Sequence, residues 1–151
     1  MKPRTIAIIQ ARMSSSRLPG KVLLDIAGEP RLAHVIEGAK RVDEVVLATT
    51  TDPSDDPIAE FCAERGYNFT RGRLHDVLDR YYQAAKEYDA DVIVRLTADC
   101  PVLDPNIVDE TIRVQREGKF NFVANRLPPP MGRTFPIGLD TEVCTFAALE
   151  N

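Results

Sequence analysis

The stretch IAIIQARMSSSRLPGK, residues 6–21, runs from four apolar residues into eleven that hold three serines, two arginines, a proline and a glycine, with a lysine next. An apolar run of this length, bounded by turn residues, reads as a strand buried on both faces. The segment after it is dense in hydrogen-bond donors. Backbone N–H groups in a tight turn form an anion-binding concavity, and Ser14, Ser15 and Ser16 add hydroxyls. Arg12 and Arg17 offer planar forks to phosphate-like oxygens, and Lys21 a mobile point charge. No acid stands between Arg12 and Asp25. The segment is neither GxxxxGK[ST], since Val22 follows Gly20-Lys21, nor GxGxxG, so the two commonest phosphate loops are excluded. A solvated connector of ordinary loop composition is the plain alternative.

Charge along the chain supports an anion at this end. Residues 1–41 carry eight Lys/Arg against three Asp/Glu, and residues 42–151 carry eleven against twenty. A net charge of −4 argues against a general nucleic-acid binder, whereas a basic section on an acidic protein suits a small local anion. At 151 residues the chain reads as a single domain spanning 1–151. No run approaches the roughly 20 apolar residues of a membrane span, and the N-terminal apolar run is too short for a signal peptide, so a cytoplasmic location is expected. Cys62, Cys100 and Cys144 are odd in number and lack CxxC spacing, which points to reduced thiols and excludes a zinc motif.

Outward from the first strand, apolar runs alternate with helical patterns. Strands are predicted at 5–10, 45–49, 68–70, 92–96, 120–124 and 139–144, and helices at 31–41, 56–65, 77–87 and 105–117. Asp56-Pro57 and Asp104-Pro105 read as capped helix starts, and Gly66 and Gly118 as stops. His75 and Asp76 read as caps of the third helix, with Val77, Leu78, Tyr81 and Ala85 as its buried stripe. His34 reads as a packed side chain. This alternation predicts an α/β three-layer αβα sandwich around a mostly parallel sheet. Residues 125–138 hold four of the eleven prolines and read as an irregular loop over a site. The ending TFAALEN looks like a helix beginning, and both a complete chain and a piece of a longer protein fit it.

In open parallel sheets, ligands bind beyond the carboxyl ends of the strands. Asp99, in RLTADCPVLDP after the fourth predicted strand, stands where a carboxylate can hold Mg²⁺ against phosphates, or where it simply closes a turn. Asp52, Asp55 and Asp56 read better as turn and cap residues than as ligands. Arg95, inside the strand, suits an ion pair or a substrate contact. No Ser-His-Asp or Cys-His set is legible.

Taken together, QARMSSSRLPGKVLLDIAGEP, ATTTDPSDDPIAEF, RGRLHDVLDRYYQAA, VIVRLTADCPVLDP and FPIGLDTEVCTFAALE resemble, in order, the cytidylyltransferase family that makes CMP-activated sugars. The likeness is to its SpsF-like branch, related to CMP-KDO and CMP-sialate synthetases. The resemblance implies a Rossmann-like nucleotide-diphospho-sugar transferase fold, with CTP and a sugar acceptor as ligands. It implies that Ala11, Arg12, Ser16, Arg17, Lys21 and Arg71 bind the nucleotide. It further implies that Arg12, Lys21 and Asp99 are catalytic, and that Asp99 and Asp140 hold Mg²⁺. Family members run well past 151 residues and often add sugar-binding and dimer-forming elements, so a homodimer is compatible with the likeness. A nucleotide-sugar-dependent glycosyltransferase and a non-catalytic nucleotide-binding module are the alternatives.

Overall fold

The computed structural model describes residues 2–151. The first apolar run forms β1 (Thr5–Gln10) at the centre of the sheet, flanked by two parallel neighbours. Its side chains alternate between two cores. Ala7 and Ile9 join one, Ile6 and Ile8 the other, and all four are fully buried. That is why the run is continuously apolar: helices cover both faces.

After the loop that follows β1, a short turn at Lys21–Leu23 leads into a hairpin of β2 (Asp25–Ile26) and β3 (Glu29–Pro30). Then come α1 (Arg31–Gly38), β4 (Glu44–Thr50), α2 (Asp56–Arg65), β5 (Asn68–Gly72) and α3 (Val77–Glu87). The chain continues through β6 (Val92–Thr97), α4 (Pro105–Gly118), β7 (Phe122–Ala124), β8 (Glu142–Thr145) and α5 (Phe146–Glu150). The main sheet has the order β5-β4-β1-β6-β8-β7. β5, β4, β1 and β6 are parallel, whereas β8 pairs antiparallel with both β6 and β7. The three-layer α/β sandwich with a mostly parallel sheet is therefore as expected. Apolar residues of α1, α2 and α4 (Leu32, Ile36, Ile58, Val108, Ile112) close one core. Tyr81, Ala84 and Ala85 of α3 close the other, with Phe146 and Leu149 of α5 at its margin.

Several local expectations are corrected. Helix α1 ends at Gly38, before Arg41. Helix α2 begins with Asp56 inside it, so Asp56 is not its cap. Asp55 holds the cap position, and its side chain turns away to another task. Lys119, not Gly118, takes the left-handed conformation that closes α4. Leu78 is 64% exposed and leaves the stripe of α3, where Arg80 is buried instead. The run at 120–124 pairs only from Phe122, and that at 139–144 only from Glu142. By contrast, Asp104 caps α4 through the Asn106 N–H, Asp76 caps α3 through the Asp79 N–H, and Gly66 ends α2 at φ 70°.

Among the described residues, no helix is long and apolar enough to cross a membrane. The three thiols are free: Cys62 and Cys100 are buried and Cys144 half-buried. Burial pushes Cys62 up to about 12 and Cys144 up to about 11, the latter with help from Glu142.

Candidate active site

Strand order determines where a site can open. From β1 the chain moves to β4 on one side, and α3 later carries it back across to β6 on the other. The strand order thus reverses between the neighbouring parallel strands β1 and β6, the place beyond whose carboxyl ends ligands bind in open α/β sheets. A cavity of about 500 Å³ lies there. Gln10, Ala11, Arg12, Ser14, Ser15, Ser16, Arg17 and Lys21 line it from the β1 side, and Thr97, Ala98 and Asp99 from the β6 side. Arg31, Val22 and Ile137 complete the wall.

The loop is built to present its donors. The Ala11 N–H donates to Ala48 O at 3.1 Å, and the Gly20 N–H donates to Met13 O at 2.8 Å, closing the turn. Gly20 sits at φ 71°, a left-handed conformation that disfavours any side chain, and a Cβ there would also meet the Met13 methyl at 3.4 Å. Asp55 anchors the loop from outside. Fully buried, it accepts the Met13 N–H at 2.6 Å and the Thr50 hydroxyl. The second segment is tied to the first by the Ala98 N–H donating to Gln10 O at 3.0 Å.

The wall is strongly cationic. Arg12, Arg17, Lys21 and Arg31 face one carboxylate, Asp99, which lies 2.8 Å from the Lys21 Nζ. Among the described residues no ion pair engages Arg12, Arg17 or Arg31. Arg12 and Arg17 are exposed and Lys21 and Arg31 half-buried, and a surplus of cations on one wall suits a multiply charged anion. For Mg²⁺ the donor set is sparse. Among the described residues no three Asp, Glu, His or Cys side chains converge. One hard carboxylate in a cavity with a cationic wall is still a fitting arrangement, because Mg²⁺ is commonly held by one or two carboxylates plus substrate phosphates and water.

Two expected site residues stand apart. Arg71 donates to Thr50 O at 2.7 Å and to Asp56 at 2.8 Å, binding β5 to the start of α2, and it does not line the cavity. Asp140 pairs with Arg133 within the proline-rich loop and is likewise outside the wall. Sequence reasoning missed Arg31 and Ile137, and it read Asp55 as a turn residue. Arg31 belonged to the basic N-terminal section, but only the β2–β3 hairpin returns it to the cavity. The proline-rich loop does reach over the site, through Ile137, which is 84% exposed at the rim. His34 is packed as expected, with its Nε2 2.7 Å from Ile26 O. Arg95 also meets its expectation of an ion pair. It contacts Glu142 at 2.7 Å, and Glu142 contacts Arg126 at 2.8 Å as well.

A crevice at a sheet's topological switch point, lined by cations and one acid, is the place where an open α/β protein accommodates an anionic ligand. Residues 6–129 match the cytidylyltransferase family, and the chain belongs to that family. It is 38% identical over 97% of its length to an uncharacterized protein of Methanocaldococcus jannaschii, of which it covers 59%. It is 32% identical to the spore coat polysaccharide biosynthesis protein SpsF of Bacillus subtilis, covering 95% of this chain and 64% of that protein. A solved cytidylyltransferase from Leptospira borgpetersenii serovar Hardjo-bovis superposes with a TM-score of 0.87 at 36% identity, covering 99% of this chain and 63% of the other. The chain thus spans about three fifths of the length of these relatives.

Proposed function

We propose that this protein transfers CMP from CTP to a sugar acid or related sugar, releasing pyrophosphate, in the synthesis of a surface or spore-coat polysaccharide. The observation that carries this reading is the convergence of Arg12, Arg17, Lys21 and Asp99 on one cavity at the switch point. Family membership and the likeness to SpsF point the same way. In this reading an acceptor oxygen attacks the α-phosphorus of CTP, and the bond to the β-phosphate oxygen breaks. The protein's work is positioning and charge neutralisation. Ala11 and Ser16 approach the nucleotide along the loop. Arg12, Arg17 and Lys21 stabilise the charge that builds on the departing β,γ-phosphates. Mg²⁺, held by Asp99, would neutralise phosphate charge. Lys21 must exchange Asp99 for phosphate oxygens as the nucleotide enters, which couples anion entry to release of the carboxylate.

A glycosyltransferase consuming a nucleotide sugar is less well supported. The single Asp-x-Asp triplet, Asp89-Ala90-Asp91, precedes β6 at the opposite edge of the sheet, where Asp91 accepts the Arg4 N–H at 2.7 Å. The test is twofold. CTP with Mg²⁺ should raise the melting temperature where UDP- or GDP-sugars do not, and pyrophosphate should appear when CTP is offered with a panel of sugar acids. A CTP shift without pyrophosphate for any acceptor would mark a non-catalytic nucleotide-binding module.

A further inference from the structure

Arg31 opens α1, directly after the β2–β3 hairpin, and its backbone N–H donates to Leu24 O at 2.8 Å. That bond fixes the start of the helix against the Lys21–Leu23 turn, so Arg31 enters the cavity on the flank that already carries Lys21. Its Nε is buried and has no hydrogen-bond partner. No carboxylate lies in ion-pair range of its guanidinium among the described residues. A buried guanidinium N–H left unpaired is costly, and the half-buried side chain recovers that cost by turning toward an anion in the cavity that it lines.

Resting on the nucleotide reading above, we propose that Arg31 is a fourth phosphate-binding residue, acting on the terminal phosphates of the triphosphate and on the pyrophosphate product. Its position decides the end of the nucleotide it serves. Gln10 and Ala11 stand at the mouth of β1, whereas Arg31 is placed by the turn that begins with Lys21. Arg31 is also carried by a helix rather than by the loop, so its guanidinium gives the pyrophosphate end a fixed donor on the flank of Lys21. A fork-shaped donor is suited to two oxygens of one phosphate or of adjacent phosphates.

The test is calorimetric titration of the whole chain and its Arg31→Gln and Arg31→Lys variants with CTP, CMP and inorganic pyrophosphate, with melting curves to establish folding. Arg31→Gln should weaken CTP and pyrophosphate roughly ten- to a hundred-fold while leaving CMP unchanged, and Arg31→Lys should recover part of the loss. Equal losses for CMP and CTP, or pyrophosphate binding that ignores the substitution, would overturn the assignment. If the unaltered protein bound pyrophosphate through Arg31 yet ignored CTP, the nucleotide reading would fail and the phosphate role of Arg31 would stand.

Discussion

Lys21 and Asp99 meet at 2.8 Å in the wall of the cavity, a pair that the proposed function has each residue give up for the ligand. In the proposed transfer, removing Lys21 takes away a charge-assisted contact that strengthens as the pyrophosphate leaves. Lys21→Ala should therefore lower turnover roughly a hundred- to a thousand-fold, read as pyrophosphate release at saturating CTP. Unchanged turnover would remove Lys21 from the mechanism. Asp55 acts one layer out. It is the buried acceptor for the Met13 N–H and the Thr50 hydroxyl, and Asp55→Ala leaves both donors without it. Denaturant titration should show a loss of about 2–3 kcal/mol, and CTP affinity should fall because the loop loses its anchor. Asp55→Ala at full stability with unaltered CTP binding would contradict this role.

Among the elements, the antiparallel β8 is held in the sheet by charge as well as by its ladder. Glu142 pairs with Arg95 of β6 and with Arg126 at the start of the proline-rich loop. Burial disfavours its charge, yet the two guanidiniums outweigh burial and hold Glu142 below the ordinary glutamate value of 4.5. A carboxylate lowered in the folded state stabilises above its unfolded value and ceases to as pH falls through its folded one. The stability gap between the unaltered protein and Glu142→Gln should thus be widest near neutrality and close as the pH drops below 4.5. A gap independent of pH would show that the charge of Glu142 is not what matters. Steric fit supplies a second test at this scale. A Cβ on Gly72 would lie 2.9 Å from the Arg80 Cγ, so Gly72→Ala should destabilise by about 1–3 kcal/mol in thermal or denaturant unfolding.

These elements also show what the sequence could convey. The bounds of β1, α2 and α3 were readable because continuous apolar runs and Pro, Asp and Gly punctuation act over a few neighbouring residues. The place of β8 between β6 and β7 was not, since it depends on pairing with residues about fifty positions earlier. Arg12, Arg17, Lys21 and Asp99 were legible as lining one cavity because each lies in the segment that follows a strand, where sheet topology brings such segments together. Arg31 was not, because its reach into the cavity is a product of the hairpin before it. Asp55 looked like any turn aspartate until the loop at Met13 lay against it.

For the whole molecule, the charge imbalance along the chain becomes an imbalance in space. An acidic protein concentrates four cations around one crevice, three of them without ion-pair partners among the described residues. Ligand binding should weaken as ionic strength rises, since exposed parts of that field are screened within about 10 Å at 0.1 M salt. A structure of the protein with CTP and Mg²⁺ bears most directly on this arrangement. The account predicts the triphosphate between the Arg12–Lys21 loop and Arg31, with Lys21 turned from Asp99 to phosphate oxygens and the cation at Asp99. A nucleotide bound elsewhere, or a triphosphate in the crevice with the Lys21–Asp99 pair intact, would contradict it.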